Sequence, residues 1–173
     1  HGDEINMPMN FMIGNITTLD AGLFKTRIDE AQTQLGGHKP VFFFSSHDHA
    51  RQWSSFGDGA HNDQIAKVLA TLTLLQRGTA IIYYGEELGM GDMPQAALDR
   101  FPLGPNRPVA DTRDKERTPM QWSASPGAGF STGAAWLPVN PQAATHNAAD
   151  EQRDDTSVYR WYAQMLRLRH ANR

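Results

Sequence analysis

Ser46-His47-Asp48-His49-Ala50-Arg51 brings an imidazole, a carboxylate and a guanidinium together directly after the apolar run Val41-Phe42-Phe43-Phe44. A buried strand that ends in such a loop delivers polar side chains to one place, a common layout for active sites. Asp48 can bind sugar hydroxyls or stabilise a cationic transition state, and His47 can donate to a hydroxyl. The alternative reading is a helix-capping aspartate with solvated neighbours. A second group is Arg113-Asp114-Lys115-Glu116-Arg117-Thr118-Pro119-Met120-Gln121-Trp122. Charge followed by an aromatic suits a sugar subsite, which needs bidentate polar partners and a flat apolar platform. A surface turn with a charge pair four residues apart fits the same letters. Glu86 and Glu87 are adjacent carboxylates. Sequence neighbours point in different directions, whereas a retaining acid/nucleophile pair faces across its substrate at about 5 Å. They therefore read as loop supports. His38, His146 and His170 show no metal-ligand spacing and read as surface residues.

The elements that must position these groups repeat in kind. Met9 to Ile16 is an apolar run, followed by Leu23, Phe24, Ile28 and Ala31 at helical spacing. Val41 to Phe44 is too short for a helix and reads as a strand buried on both faces. His61 to Gln76 places Ile65, Val68, Leu69, Leu72 and Leu75 on one face, with Asn62 as N-cap and Gly78 as stop. Ala80 to Tyr84 is another buried strand. A long polar stretch, Gly85 to Asp154, holds Trp122 and Trp136. A last helix, from about Asp155 to His170, presents Val158, Trp161, Tyr162, Met165 and Leu168.

Strands alternating with helices imply parallel pairing through crossover helices. A doubly wound open sheet and part of a (β/α)₈ barrel both satisfy that pattern. No glycine-rich phosphate loop follows any strand, and Gly85-Glu86-Glu87-Leu88-Gly89 places acids where a phosphate would need bare amides. Polar residues after each strand favour the barrel, although three strands do not close one. The expectation is an α/β chain, the C-terminal portion of a (β/α)₈ barrel: about strands six to eight with their helices, as one unit over 1–173.

Composition excludes several other classes. The net charge is −3 with both signs interspersed, so no basic stripe calls for nucleic acid or an anionic membrane surface. Cysteine is absent, which rules out disulfides, thiolate zinc sites and a cysteine nucleophile. That suits a reducing compartment, with the cytoplasm favoured, and also fits many periplasmic proteins. No apolar run is long enough for a membrane-spanning helix.

Taken in order, these segments resemble family 13 of the glycoside hydrolases, the α-amylase superfamily, and its α-glucosidase and oligo-1,6-glucosidase branch. His47-Asp48-His49-Ala50-Arg51 is similar to the family's His-Asp-x-x-Arg region after strand seven. Ser55-Phe56-Gly57-Asp58 resembles the stretch beyond it. Gly78 to Met90 looks like strand eight and its loop. Arg113-Asp114-x-x-Arg117-Thr118-Pro119-Met120-Gln121-Trp122 is the most diagnostic match, and Ala128-Gly129-Phe130-Ser131 and Trp136 to Pro141 follow the same branch. The likeness covers nearly the whole chain.

The resemblance implies roles. Asp48 is the third acidic residue, a catalytic transition-state stabiliser. His47 binds the same sugar, Arg113 holds the non-reducing-end glucose, Arg51 lines the neighbouring subsite, and Arg117 binds substrate from the Arg113 motif. No cofactor or metal is implied. Ser45 and Ser46 depart from the acid and amide usual before the His-Asp pair. The family's nucleophilic aspartate and acid/base glutamate, after strands four and five, would both precede His1. The piece is therefore expected to be inactive alone. It is expected to self-associate or to pair with an N-terminal portion, while its family acts on oligosaccharides by retaining hydrolysis. The alternatives are a transglycosylating relative, such as a sucrose isomerase or trehalose synthase, and a non-catalytic barrel-derived binding subunit.

Overall fold

A computed structural model describes residues 7–34, 38–102, 111 and 113–172. Three backbone segments run side by side in parallel. Met9 forms a bridge with Val41, where the Asn10 amide donates to the Val41 carbonyl at 3.1 Å. Strand β1 (Val41–Phe42) pairs with β2 (Thr79–Ala80) in the register Val41 to Thr79 and Phe42 to Ala80. The Ile81 amide extends the ladder to the Phe42 carbonyl at 2.9 Å. The expected adjacent, parallel pairing of the two apolar runs is therefore present, over a shorter ladder than the runs themselves. Beyond Ile81 the backbone turns, and the Glu86 amide bonds back to the Tyr83 carbonyl.

The first apolar run is not a strand throughout. Only Met9 bridges, and Phe11–Gly14 forms a helical turn, α1, whose N-cap Asn10 accepts from the Met12 amide. An Asn that captures its own chain's amides offers the backbone an alternative to the ladder. The turn brings Gly14 against the Phe43 ring, where an added Cβ would lie 2.5 Å from a ring carbon. Glycine is needed there because the fully buried Phe43 occupies the space of a side chain.

Helix α2 (Ala21–Gln34) buries Phe24 and Ala31 against Phe42, Phe44, Phe56 and Leu69. Phe24, Phe44 and Phe56 meet edge-on or tilted, with centroids 5.6 to 6.1 Å apart, the arrangement aromatic quadrupoles favour. The short α3 (Gln52–Phe56) leads into α4 (Asn62–Leu74). Two sequence expectations fail here. His61, not Asn62, occupies the N-cap position, and Asn62 instead accepts from the Gly59 amide. The buried residues of α4 are Ile65, Ala66, Leu69, Ala70, Thr73 and Leu74, while Val68 and Leu75 are exposed. The helix is covered from two sides, so small residues at Ala66 and Ala70 admit a second helix.

That second helix is α7 (Val158–Ala171), which packs Val158, Tyr162 and Met165 on Ala66, Ala70 and Leu74. Ser157 caps it by accepting from the Arg160 amide at 3.1 Å. Near its far end, Arg169 donates to the carbonyls of Leu74, Gln76 and Gly78, pinning α7 to the turn before β2. Leu168, expected in the apolar face, is exposed. Between β2 and α7 lie short turns, α5 (Gln95–Leu98) and α6 (Ala148–Glu151). This stretch is tied down by side chains rather than by regular structure. Asn140 donates to the Gly91 carbonyl at 3.0 Å, and Gln142 bonds both the Gly91 amide and the Gly89 carbonyl.

Candidate active site

Both loops that follow the paired strands rise from the C-terminal ends of β1 and β2. The first turns tightly because Ser46 Oγ accepts from the Asp48 amide at 3.1 Å and bonds His49 Nδ1 at 2.8 Å. His49 Nε2 reaches Asn15 at 3.0 Å, anchoring the turn to the first segment. This leaves His47 and Asp48 outermost. From the second loop, Arg113 Nη1 donates to Asp48 Oδ1 at 2.6 Å across 65 positions of sequence. Arg117 Nη2 donates to the same oxygen at 3.0 Å, and its Nε donates to the His47 carbonyl at 2.8 Å. His47 Nε2 lies 3.3 Å from Asp48 Oδ2.

Asp111, which the sequence reading missed, completes the cluster. Its carboxylate accepts from Arg113 Nε at 3.0 Å and Nη2 at 2.9 Å, and lies 3.5 Å from Arg117 Nη1. Two arginines and two aspartates thus alternate. The Arg113 hydrogen bond, followed by the nearby positive charges, holds the Asp48 carboxyl below the usual aspartate range. The Arg113 bonds likewise bring Asp111 down to about 2. Asp48 remains 44% exposed. Exposed ion pairs contribute little to stability; what the cluster does is hold the Asp48 carboxylate in one place. Its position two residues before Arg113 was the only sequence signal for Asp111.

Arg51 departs from its expected place. It is fully buried beneath the loop, not lining an open subsite. Its Nη1 donates to the Tyr84 carbonyl at 2.6 Å, and its guanidinium lies 5.0 and 4.5 Å from the Tyr83 and Tyr84 ring centroids. Its Nε and Nη2 have no acceptor among the described residues. Stacking on two rings lets a cation stay inside with few hydrogen bonds. Glu86 is also buried, and burial pushes its carboxyl up to about 8. Glu86 accepts from the Tyr83 amide and Glu87 from the Gly85 amide, so both shape their own turn. His146, expected at the open surface, is half-buried: it packs against Trp53 at 4.7 Å and faces Asp63 at 3.2 Å.

Beside Arg117 lies a cavity of about 430 Å³, floored by Tyr84 and Glu87 and walled by Trp122, Phe130 and Trp136. All three walls are at least half exposed. A wider depression of about 800 Å³ sits at the opposite end of the strands, around Lys39, Arg77 and Arg169. It is remote from the cluster, and Arg169 is already taken up by carbonyls. Among the described residues, no three His, Asp or Glu side chains group as metal ligands.

A family model described as alpha amylase, catalytic domain, matches residues 6–173. The chain belongs to that family. Among its relatives is an alpha-glucosidase of Pediococcus pentosaceus, 40% identical over 74% of this chain and 27% of that protein. A probable oligo-1,6-glucosidase of Bacillus subtilis is 31% identical over 88% of this chain and 31% of its own length. The isomaltulose synthase of Protaminobacter rubrum superposes with a TM-score of 0.83 at 32% identity, over 98% of this chain and 36% of that one. The trehalulose synthase of Pseudomonas mesoacidophila MX-45 gives 0.73 at 37%, over 86% and 31%. The chain thus spans about a third of the length of these family members, and its fold is derived from their barrel.

Proposed function

We propose that residues 1–173 are strands six to eight, with their helices, of a retaining α-glucosidase-type barrel, with 85–154 as the loop region after strand eight. Asp48 is the transition-state stabiliser, and His47, Arg113 and Arg117 hold the sugar around it. The reading rests chiefly on one observation: an exposed Asp48 carboxylate fixed by Arg113 and Arg117 at the C-terminal strand ends, where barrel enzymes carry their chemistry. As positive charge develops at the anomeric carbon, a carboxylate already ionised and oriented stabilises it without reorganising. The cavity walled by Trp122, Phe130 and Trp136 suits further sugar rings, which stack on aromatic faces. Arg51 acts from below, holding the loop. Hydrolysis also needs a nucleophile and a proton donor, which this stretch lacks at matching positions.

The test compares a polypeptide extended by the family's preceding barrel units with its Asp48→Asn variant on an aryl α-glucoside. The variant should fold and lose about a hundred-fold or more in kcat; unchanged turnover would remove Asp48 from the reaction. A second reading, transfer or isomerisation instead of hydrolysis, is favoured by the solved relatives named as isomaltulose and trehalulose synthases. Supplying sucrose to the extended polypeptide separates the two readings: free glucose and fructose mark hydrolysis, and a rearranged disaccharide marks isomerisation.

A further inference from the structure

The ion pairs at the site join two loops that share no regular structure, so something must hold those loops in register. Asp92 stands between them. Its Oδ1 accepts from the Arg51 amide at 2.8 Å, three residues after Asp48. Its Oδ2 lies 3.7 Å from Lys115 Nζ, between Arg113 and Arg117 in the chain. The Asp92 amide donates to Ser54 Oγ at 2.7 Å, and the next amide, of Met93, donates to the Lys115 carbonyl at 2.9 Å. The Asp92 side chain is only 12% exposed. Its own segment is fixed from behind, because Asn140 and Gln142 bond Gly91 and Gly89. A second strap runs in parallel: Arg51 Nη1 to the Tyr84 carbonyl, and the Tyr84 hydroxyl to the Thr118 carbonyl at 2.6 Å.

We propose that Asp92 is a positioning residue that sets the Asp48 loop against the Arg113–Arg117 segment. The inference builds on the functional reading of Asp48, but the contact geometry can be tested apart from it. A carboxylate suits the post because it accepts from a backbone amide with one oxygen while facing an ammonium with the other. A buried acceptor of this kind is costly to remove, since the partner amide is left unsatisfied. The surface pairs of Asp48 are individually weak, so they depend on loops that are already placed.

The experiment follows the Asp48 carboxyl by carbon-13 NMR titration in the polypeptide extended by the family's preceding barrel units and in its Asp92→Ala and Asp92→Asn variants. In the unmodified polypeptide Asp48 should titrate below the ordinary aspartate range. Loss of register should move it upward in both variants. Direct electrostatics predicts the reverse, because removing one negative charge favours ionisation of another. An upward shift therefore reports displaced arginines. An unchanged or lowered Asp48 titration in folded variants would overturn the inference, even with a reduced melting temperature. So would ordinary titration in the unmodified polypeptide. If Asp92→Ala does not fold, Asp92→Asn, which keeps an acceptor for the Arg51 amide, decides the matter. Turnover of an aryl α-glucoside by the extended polypeptide and its Asp48→Asn variant tests the functional reading separately: equal turnover, alongside an upward shift in the Asp92 variants, sinks that reading and leaves the role of Asp92 standing.

Discussion

Asp48 and Glu86 are both carboxylates at loop positions, and their surroundings push them apart. Asp48 is exposed and held ionised by Arg113; Glu86 is sealed in and favours its proton. Asp48 therefore suits a fixed anion and Glu86 a neutral support. The direction of the pH effect for Glu86 follows from linkage. Its unfolded-state carboxyl loses its proton near the ordinary value of 4.5, and its folded-state carboxyl near 8. Between these values the unfolded chain binds fewer protons, so stability falls as pH rises through that window and levels off above it. The loss is on the order of a few kcal/mol. Glu86→Gln is expected to flatten the curve. Thermal unfolding followed from about pH 5 to 9 checks this, and a variant with the same slope as the parent would assign the pH dependence to other groups. For Asp48 the sign is reversed: whatever its pairs contribute is present above the ordinary aspartate range and is lost as pH falls through its depressed value.

At the scale of elements, α4 is the central strut. It meets the phenylalanine cluster through Ile65 and Leu69, and α7 through Ala66, Ala70 and Leu74. Leu69 is fully buried, so Leu69→Ala should cost about 2–5 kcal/mol, from lost burial plus a cavity. Val68, one residue earlier and half exposed, should tolerate alanine within about 0.5 kcal/mol. Urea unfolding of the two variants measures the contrast, and equal losses would contradict the two-sided packing of α4. Tyr162 belongs to the same scale. Its hydroxyl accepts from Gln52 Nε2 at 2.8 Å within the core. Tyr162→Phe should cost about 1–3 kcal/mol, because the Gln52 donor is then buried without a partner.

The molecule as a whole has a parallel sheet with two outer edges. Among the described residues nothing pairs with β2 on the side away from β1, and the first segment contributes one bridge. Met9, Phe11 and Met12 are exposed near one edge and Ile81 near the other. Unpaired edges flanked by apolar side chains recruit partners. The purified chain is expected to run above its monomer mass, or to aggregate, and to release nothing from an aryl α-glucoside. Light scattering and a discontinuous assay test both parts, and a stable monomer or measurable turnover would refute the corresponding one.

Local composition made much of this legible. The apolar run Val41 to Phe44, bounded by glycines and serines, specifies a buried strand wherever it sits. The ordered motifs from His47 to Trp122 carry the family because each is a dense set of chemical types at fixed spacing. Which way those side chains turn was not legible. Arg51 lies three residues from Asp48 and points inward, because Tyr83 and Tyr84, more than thirty positions away, provide rings and a carbonyl there. Asp92 carries no periodic signal, since its partners Arg51 and Lys115 are 41 and 23 positions away and are brought close only by folding; Asp111 sits beside Arg113 in the chain, but nothing in the spacing says that the pair meets Asp48. Even α4 presented a different face than its spacing predicted, because a helix covered from both sides buries alanines as readily as leucines. Sequence determined which segments are apolar and which chemistry each loop can offer. Tertiary structure alone decided which charges meet, because distance in space is set by contacts that spacing along the chain does not encode.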